Sequence, residues 1–181
     1  MIESTSIRDV FVIHPQIFSD ERGWLYESFN LKKFRQNIGM DVNFVQDNHS
    51  LSCKGVLRGL HYQKSNPQGK LLRVVSGNIF DVVVDVRRSS STYGKWLGIE
   101  ISAANRKQLW IPPGLAHGFL VMSEVAEVQY KLTEYFDPNG EVCLAWNDPS
   151  VGIQWPLPEG VLPNINAKDA AGLSWDAIPK F

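Results

Sequence analysis

IFDVVVDV, from Ile79 to Val86, alternates apolar and acidic residues within a β-branched run. Successive strand residues point to opposite faces, so Phe80, Val82, Val84 and Val86 share one face while Asp81 and Asp85 share the other. That alternation predicts a strand with one dry and one polar face. Runs rich in Val, Ile, Phe and Trp surround it: LLRVV from Leu71, WLGIEI from Trp96, KQLWI from Lys107, HGFLVM from His117 and VAEVQYKLT from Val125, separated by Gly, Ser, Asn and Pro. Several short strands at close spacing define an all-β sandwich or barrel. One helix signal precedes them, with Asn30 as N-cap, Leu31, Phe34 and Ile38 at helical spacing and Gly39 as the stop. Beyond Trp146, Pro149, Pro156, Pro158 and Pro163 prevent long regular elements, and this tail is expected to pack over the barrel.

The 181 residues correspond to a single domain, residues 1–181, with no room for a second catalytic unit. The charge of −1, from 18 basic and 19 acidic residues without long runs of either sign, gives no broad footprint for nucleic acid or an anionic membrane surface. MIESTSIRDVFVIHP lacks the basic and apolar regions of a leader, and no run of apolar residues is long enough to span a bilayer. The expectation is a cytoplasmic protein. Cys53 and Cys143 form neither a C-x-x-C motif nor a disulfide framework, and both read as free structural thiols.

Chemistry concentrates in VLRGLHYQKSNPQGK, Val56 to Lys70, where a strand carries Arg58 and His61 and a lysine follows the next turn. In VAEVQYKLT, Tyr130 shares parity with Ala126, Val128 and Leu132 and points inward. It is either a core tyrosine bonded to a backbone carbonyl or a group that meets a substrate. His117 shares parity with Phe119 and Val121 and also faces inward. Two histidines and a tyrosine at neighbouring inward positions are costly to bury without a role. Arg58 falls on the face opposite His61 under strict alternation, and Gly59 between them could admit a bulge that turns both toward one site.

PPGLAH fits the pattern P-x-G-x-x-H, which resembles the second cupin motif of jelly-roll barrels, a motif that often supplies a metal ligand. The first motif would carry H-x-H. This chain has His61-Tyr62-Gln63, and Val121 stands where the second motif would place an asparagine, so no metal is expected.

The order and spacing of DERG at Asp20, YESF at Tyr26, FVQDNHS at Phe44, GVLRGLHYQ at Gly55, FDVVVDVR at Phe80, WIPPGLAHGF at Trp110 and WNDP at Trp146 resemble the dTDP-4-dehydrorhamnose 3,5-epimerases over nearly the whole chain. The resemblance implies a cupin-like jelly-roll barrel and a metal-free, cofactor-free isomerase acting on dTDP-4-dehydro-6-deoxy-D-glucose. Its C4 ketone acidifies the protons on C3 and C5. Epimerisation then needs a base, stabilisation of the enolate, and an acid on the opposite face. By resemblance His61 is the base, Asp169 orients it, Lys70 stabilises the enolate and Tyr130 is the acid. Arg22, Glu27, Gln46, Asp47, Asn48, Arg58, Lys70, His117, Glu141 and Lys168 would contact the dTDP-sugar, with Arg and Lys suited to the diphosphate. The resemblance further implies a homodimer whose N-terminal segment is shared between subunits, so that Arg22 and Glu27 act across the interface. A 3- or 5-epimerase, a 3,4-ketoisomerase and a sugar-binding module without catalysis remain alternatives.

Overall fold

The computed structural model describes residues 1–181 and consists mainly of antiparallel strands. In chain order these are β1 (Ile2–Ser4), β2 (Phe11–Ile13), β3 (Phe18–Asp20), β4 (Gly23–Leu25), the helix α1 (Leu31–Ile38), β5 (Gln46–Cys53), β6 (Leu57–Gln63) and β7 (Lys70–Ser76). Then come β8 (Asn78–Asp85), β9 (Trp96–Ser102), β10 (Gln108–Ile111), β11 (Leu115–Val121), β12 (Val125–Leu132), β13 (Glu141–Cys143) and the short helix α2 (Ala167–Ala170). A six-stranded sheet in the order β1-β2-β10-β7-β12-β5 faces a five-stranded sheet in the order β13-β6-β11-β8-β9, and β3 with β4 forms a separate hairpin. This is a jelly-roll barrel of the cupin type.

Alternation in each strand divides the molecule into layers. Leu72, Val74, Leu109, Ile111, Ala126 and Val128 from the six-stranded sheet meet Ile79, Val83, Ile101, Leu115, Phe119 and Val121 from the five-stranded sheet in the central core. Their neighbours Leu71 and Trp110 face outward and are covered by Phe34 and Ile38 of α1. The helix is bounded as its sequence predicts: Asn30 Oδ1 accepts the Lys33 N–H at 3.1 Å, and Gly39, at φ +69°, donates its N–H to the Arg35 carbonyl.

The polar face expected for β8 is instead buried. Ile79 and Val83 point into the central core, while Val82, Val84 and Val86 point outward beneath the tail residues Val151 and Ile178. Both faces of the strand are dry because the irregular tail covers the outside, as expected of it. Asp81 and Asp85 are both wholly buried. Asp85 receives hydrogen bonds from Arg87, Ser90 and Thr92, which compensate its burial. The sequence reading did not assign the short strands β1, β2 and β13, nor two further regions. The β3–β4 hairpin is exposed throughout, and β5 alternates half-buried with exposed residues that are mostly polar.

The bulge considered at Gly59 is present. Between β6 and β11 the register runs His117 opposite His61 and then Phe119 opposite Arg58, so β6 carries one extra residue. Gly59 adopts φ +112°, and a Cβ there would come within 2.6 Å of the Gly118 Cα and the His117 carbonyl oxygen. The extra residue returns Arg58 to the face that holds His61. Gly59→Ala is expected to lower stability by about 2–5 kcal/mol, combining the strain of positive φ with overpacking against β11. Urea denaturation with the wild-type midpoint would exclude this account of the bulge.

Candidate active site

His61, on β6, turns its ring into the barrel, and its Nε2 lies 2.7 Å from Asp169 Oδ1. Asp169 comes from the far end of the sequence, and backbone pairing brings it there. Asn164 bonds through its N–H and carbonyl to Gly55 and Leu57, and Leu173 does the same with Cys143 and Ala145. The tail between these two anchors forms α2, whose N-cap Asn166 accepts the Asp169 N–H at 2.7 Å. Asp169 is 1% exposed, and its second oxygen accepts the Gly59 N–H at 3.0 Å. Burial raises its pKa, but the hydrogen bonds from His61 and Gly59 and the charges of His61 and Lys168 together hold it below the usual carboxylate value. An imidazole that donates its Nε2–H to this carboxylate keeps an unprotonated Nδ1. Glu141 places a carboxylate oxygen 3.9 Å from that nitrogen, and Lys168 pairs with Glu141.

Lys70 opens β7 with the inward parity of Leu72 and is 8% exposed. Its ammonium donates to the His61 carbonyl at 3.3 Å. Burial pushes its pKa down to about 8, against the opposing pull of the negative charges on Asp81 and Glu141. His117 Nε2 lies 2.8 Å from Asp81 Oδ2, deep in the barrel. Burial lowers the His117 pKa, with the charges of Lys70 and His61 acting in the same direction and Asp81 against them.

Tyr130 comes from the opposite sheet. Its hydroxyl accepts a hydrogen bond from Asn48 Nδ2 at 3.2 Å, leaving its own proton free to be donated. Gln46 fixes Asn48 by donating to its Oδ1 at 2.9 Å, and Gln46 in turn accepts the Phe136 N–H at 3.0 Å. A cavity of about 270 Å³ is lined by Arg58, His61, Lys70, His117, Tyr130, Glu141, Lys168 and Asp169. A second compartment of about 250 Å³ shares His61, Lys70, Tyr130 and Glu141 and adds Gln46 and Asn48. Arg58 is held at the first cavity by donating Nε to Ser52 Oγ at 2.9 Å.

Three candidates lie elsewhere in the chain. Asp47 alternates with Gln46 and Asn48, so it points to the outer face of the six-stranded sheet and pairs there with Lys131 at 2.9 Å. Arg22 sits at the turn of the exposed β3–β4 hairpin against Asp20, and Glu27 pairs with Lys33 at 2.9 Å. Sequence reasoning missed Gln63, Gln68 and Phe136, which line the second compartment. It also missed the role of Asp81 as partner to His117, although Asp81 shares its parity with the core residues Ile79 and Val83. The two cupin-position histidines are each committed to a carboxylate of their own, Asp169 and Asp81, rather than turned toward a common ion.

Histidines, carboxylates, a buried lysine and a tyrosine gathered around one cavity are groups suited to proton transfer, and they are set inside a cupin-type barrel. The sequence matches the dTDP-4-dehydrorhamnose 3,5-epimerase family over residues 4–177. It is 51% identical over 172 residues to the dTDP-4-dehydrorhamnose 3,5-epimerase of Salmonella typhimurium, covering 94% of this chain and 93% of that one. The fold superposes with a TM-score of 0.95 on the dTDP-6-deoxy-D-glucose-3,5-epimerase of Legionella pneumophila in complex with dTDP-4-keto-L-rhamnose, at 46% identity and covering 99% of this chain and 94% of that one. The corresponding epimerase of Elizabethkingia anophelis gives a TM-score of 0.93 at 41% identity, covering 97% and 96% of the two chains. The chain belongs to the dTDP-4-dehydrorhamnose 3,5-epimerase family.

The position of Lys70 generates a pH dependence. Its ammonium is charged below about pH 8 and neutral above it, so kcat/KM is expected to descend as pH rises through about 8. Lys70→Arg keeps its charge across this range and should lack the descending limb, whatever its absolute rate. A wild-type profile flat from about pH 7 to about pH 10 would remove Lys70 from the chemistry.

Proposed function

We propose that His61, Lys70, Tyr130 and Asp169 carry out the 3,5-epimerisation of dTDP-4-dehydro-6-deoxy-D-glucose to dTDP-4-dehydro-L-rhamnose. The observation that carries this reading is the placement of base and acid on opposing sheets, His61 on β6 and Tyr130 on β12, across one shared cavity. His61 Nδ1 takes the proton from the carbon beside the C4 ketone, and the electron pair moves onto O4 as an enolate. The Lys70 ammonium stabilises that oxygen. Tyr130 gives its hydroxyl proton to the same carbon from the other side, with Asn48 supporting the phenolate that results. The imidazolium then loses its proton to solvent and the phenolate regains one from it, and the sequence is repeated at the second carbon. Asp169 holds the imidazole in the tautomer that leaves Nδ1 free and stabilises the imidazolium formed.

Arg58, His117, Glu141, Lys168, Gln46 and Asn48 bind the dTDP-sugar around this centre, the basic groups taking the diphosphate oxygens. The protein acts as a homodimer in which the N-terminal segment crosses to the partner. Phe18, Trp24 and Leu25 of the β3–β4 hairpin are more than half exposed, which suits a surface covered by a second subunit and carries Arg22 and Glu27 toward its cavity. No helix is long and apolar enough to cross a membrane. Free, widely separated cysteines accord with work in the cytoplasm.

Two sets of variants test the assignment. In deuterated water, His61→Ala should abolish both epimerisation and deuterium uptake, whereas Tyr130→Phe should yield substrate that slowly gains deuterium with little epimer. Epimerisation by Tyr130→Phe at the wild-type rate, or exchange of both protons by His61→Ala, would overturn the roles. Asp169→Asn, which keeps an acceptor for the Gly59 N–H, is expected to cut kcat by roughly 10²- to 10⁴-fold with little change in KM. Unchanged turnover would take Asp169 out of the mechanism.

A further inference from the structure

Cys143 stands opposite His61 where β13 pairs with β6. One donor atom from each of His61, Cys143 and Asp169 falls within 4.8 Å of the others. Zinc holds sulfur, imidazole and carboxylate donors at about 2.0–2.3 Å, which sets neighbouring ligands roughly 3–4 Å apart. His61 Nε2 and Asp169 Oδ1, at 2.7 Å, need only open slightly to admit an ion, and the thiol need close on them by only about 1 Å. Thiolate with imidazole is also the donor set that zinc and similar thiophilic ions select over magnesium or calcium. The thiol has no strong competing partner, since its nearest acceptors are the Leu144 and Asp169 carbonyls at 3.8 and 3.9 Å. His61 faces the cavity and gives an ion a way in.

We propose that Cys143, His61 and Asp169 form a binding site for a thiophilic divalent cation such as zinc, and that its occupancy silences the catalytic base. This site differs from the metal position of metal-holding cupins because one donor is a thiol on β13 and another is a carboxylate from the tail. On binding, Cys143 releases its proton to solvent and coordinates as the thiolate. Asp169 supplies a carboxylate lone pair. His61 coordinates through Nε2, and the proton displaced from there is balanced by one taken up at Nδ1, so the ring stays neutral and one proton is released overall. A ring protonated at Nδ1 has no lone pair with which to accept the substrate's proton. The binding half rests on the three donors alone; the silencing half rests on His61 acting as base.

Cobalt(II) reads the first half directly, because a thiolate ligand adds a sulfur-to-cobalt charge-transfer band in the near ultraviolet. Wild-type protein titrated with cobalt should develop that band, and Cys143→Ser should not. Zinc should inhibit wild-type turnover reversibly, with activity restored by a chelator. Cys143→Ser should keep its basal turnover and need at least about 10-fold more zinc for half-inhibition, the lower end of what even a supporting partner contributes to metal affinity. If serine at this position prevents folding, Cys143→Ala serves in its place. Absence of the cobalt band, or equal zinc sensitivity in wild type and variant, would overturn the site. A thiolate–cobalt band with turnover unaffected by bound metal would overturn the silencing, and the deuterium exchange of His61→Ala reports separately whether His61 is the base.

Discussion

The hydrogen bond between His61 and Asp169 is the constraint on which the arrangement depends. The two residues lie 108 positions apart in the sequence, and nothing local to β6 selects which imidazole nitrogen carries the proton. The selection comes from a buried carboxylate held at a fixed point. Holding it there requires the tail to be pinned on both sides of α2, at Asn164 and at Leu173, by backbone bonds to the strands that flank the site. The irregular tail thus has two duties: its apolar residues close the outer face of the five-stranded sheet, and one short turn of it completes the site. Packing and chemistry are joined in the same segment.

The barrel interior is correspondingly unequal. One region is filled by close-packed aliphatic side chains, while another holds Lys70, Asp81, His117 and Asp169 with almost no access to water. Burying so many ionisable groups opposes folding unless each finds a partner. Asp169 meets His61, Asp81 meets His117, and Lys70 lies within the field of Asp81 and Glu141. The pairing is incomplete. Asp81 Oδ1 is buried without a hydrogen-bond partner, and the Lys70 ammonium donates only to a carbonyl. Residual destabilisation of Lys70 in its charged form makes it responsive to an adjacent oxygen that acquires negative charge, as the proposed enolate would.

Much of this was legible in the sequence, for reasons that can be named. The strands from Leu71 to Leu132 announced themselves through β-branched runs and punctuation, and the helix at Leu31–Ile38 through its two caps. Parity placed Tyr130 and His117 inside, because β12 and β11 are regular enough for alternation to hold through those positions. Parity also misled at β8, where a strand with aspartates on one face reads as half-solvated although both faces are covered. Alternation reports which residues share a face, and says nothing of what lies over it. The same rule, applied within the Gln46–Asn48 motif, separates Asp47 from its two neighbours, a distinction that a contiguous motif conceals until the strand is recognised. Cys143 offered no signal at all, since its nearness to His61 depends on which strand lies at the sheet's edge.

The bulge at Gly59 carries a consequence for how this chain can vary over evolutionary time. A strand behaves as a reading frame of two, and the additional residue in β6 shifts the frame between Arg58 and His61. An uninterrupted ladder with β11 that kept every residue of β6 would leave Arg58 and His61, three positions apart, on opposite sides of the sheet, whereas loss of the extra residue would set them two apart and keep them on one side. Full length and regular pairing are therefore incompatible with a shared face in this strand. The irregularity is retained information: so long as three positions separate the two side chains, the strand must hold between them a residue that accepts the φ of +112° found at Gly59 and the close approach of β11.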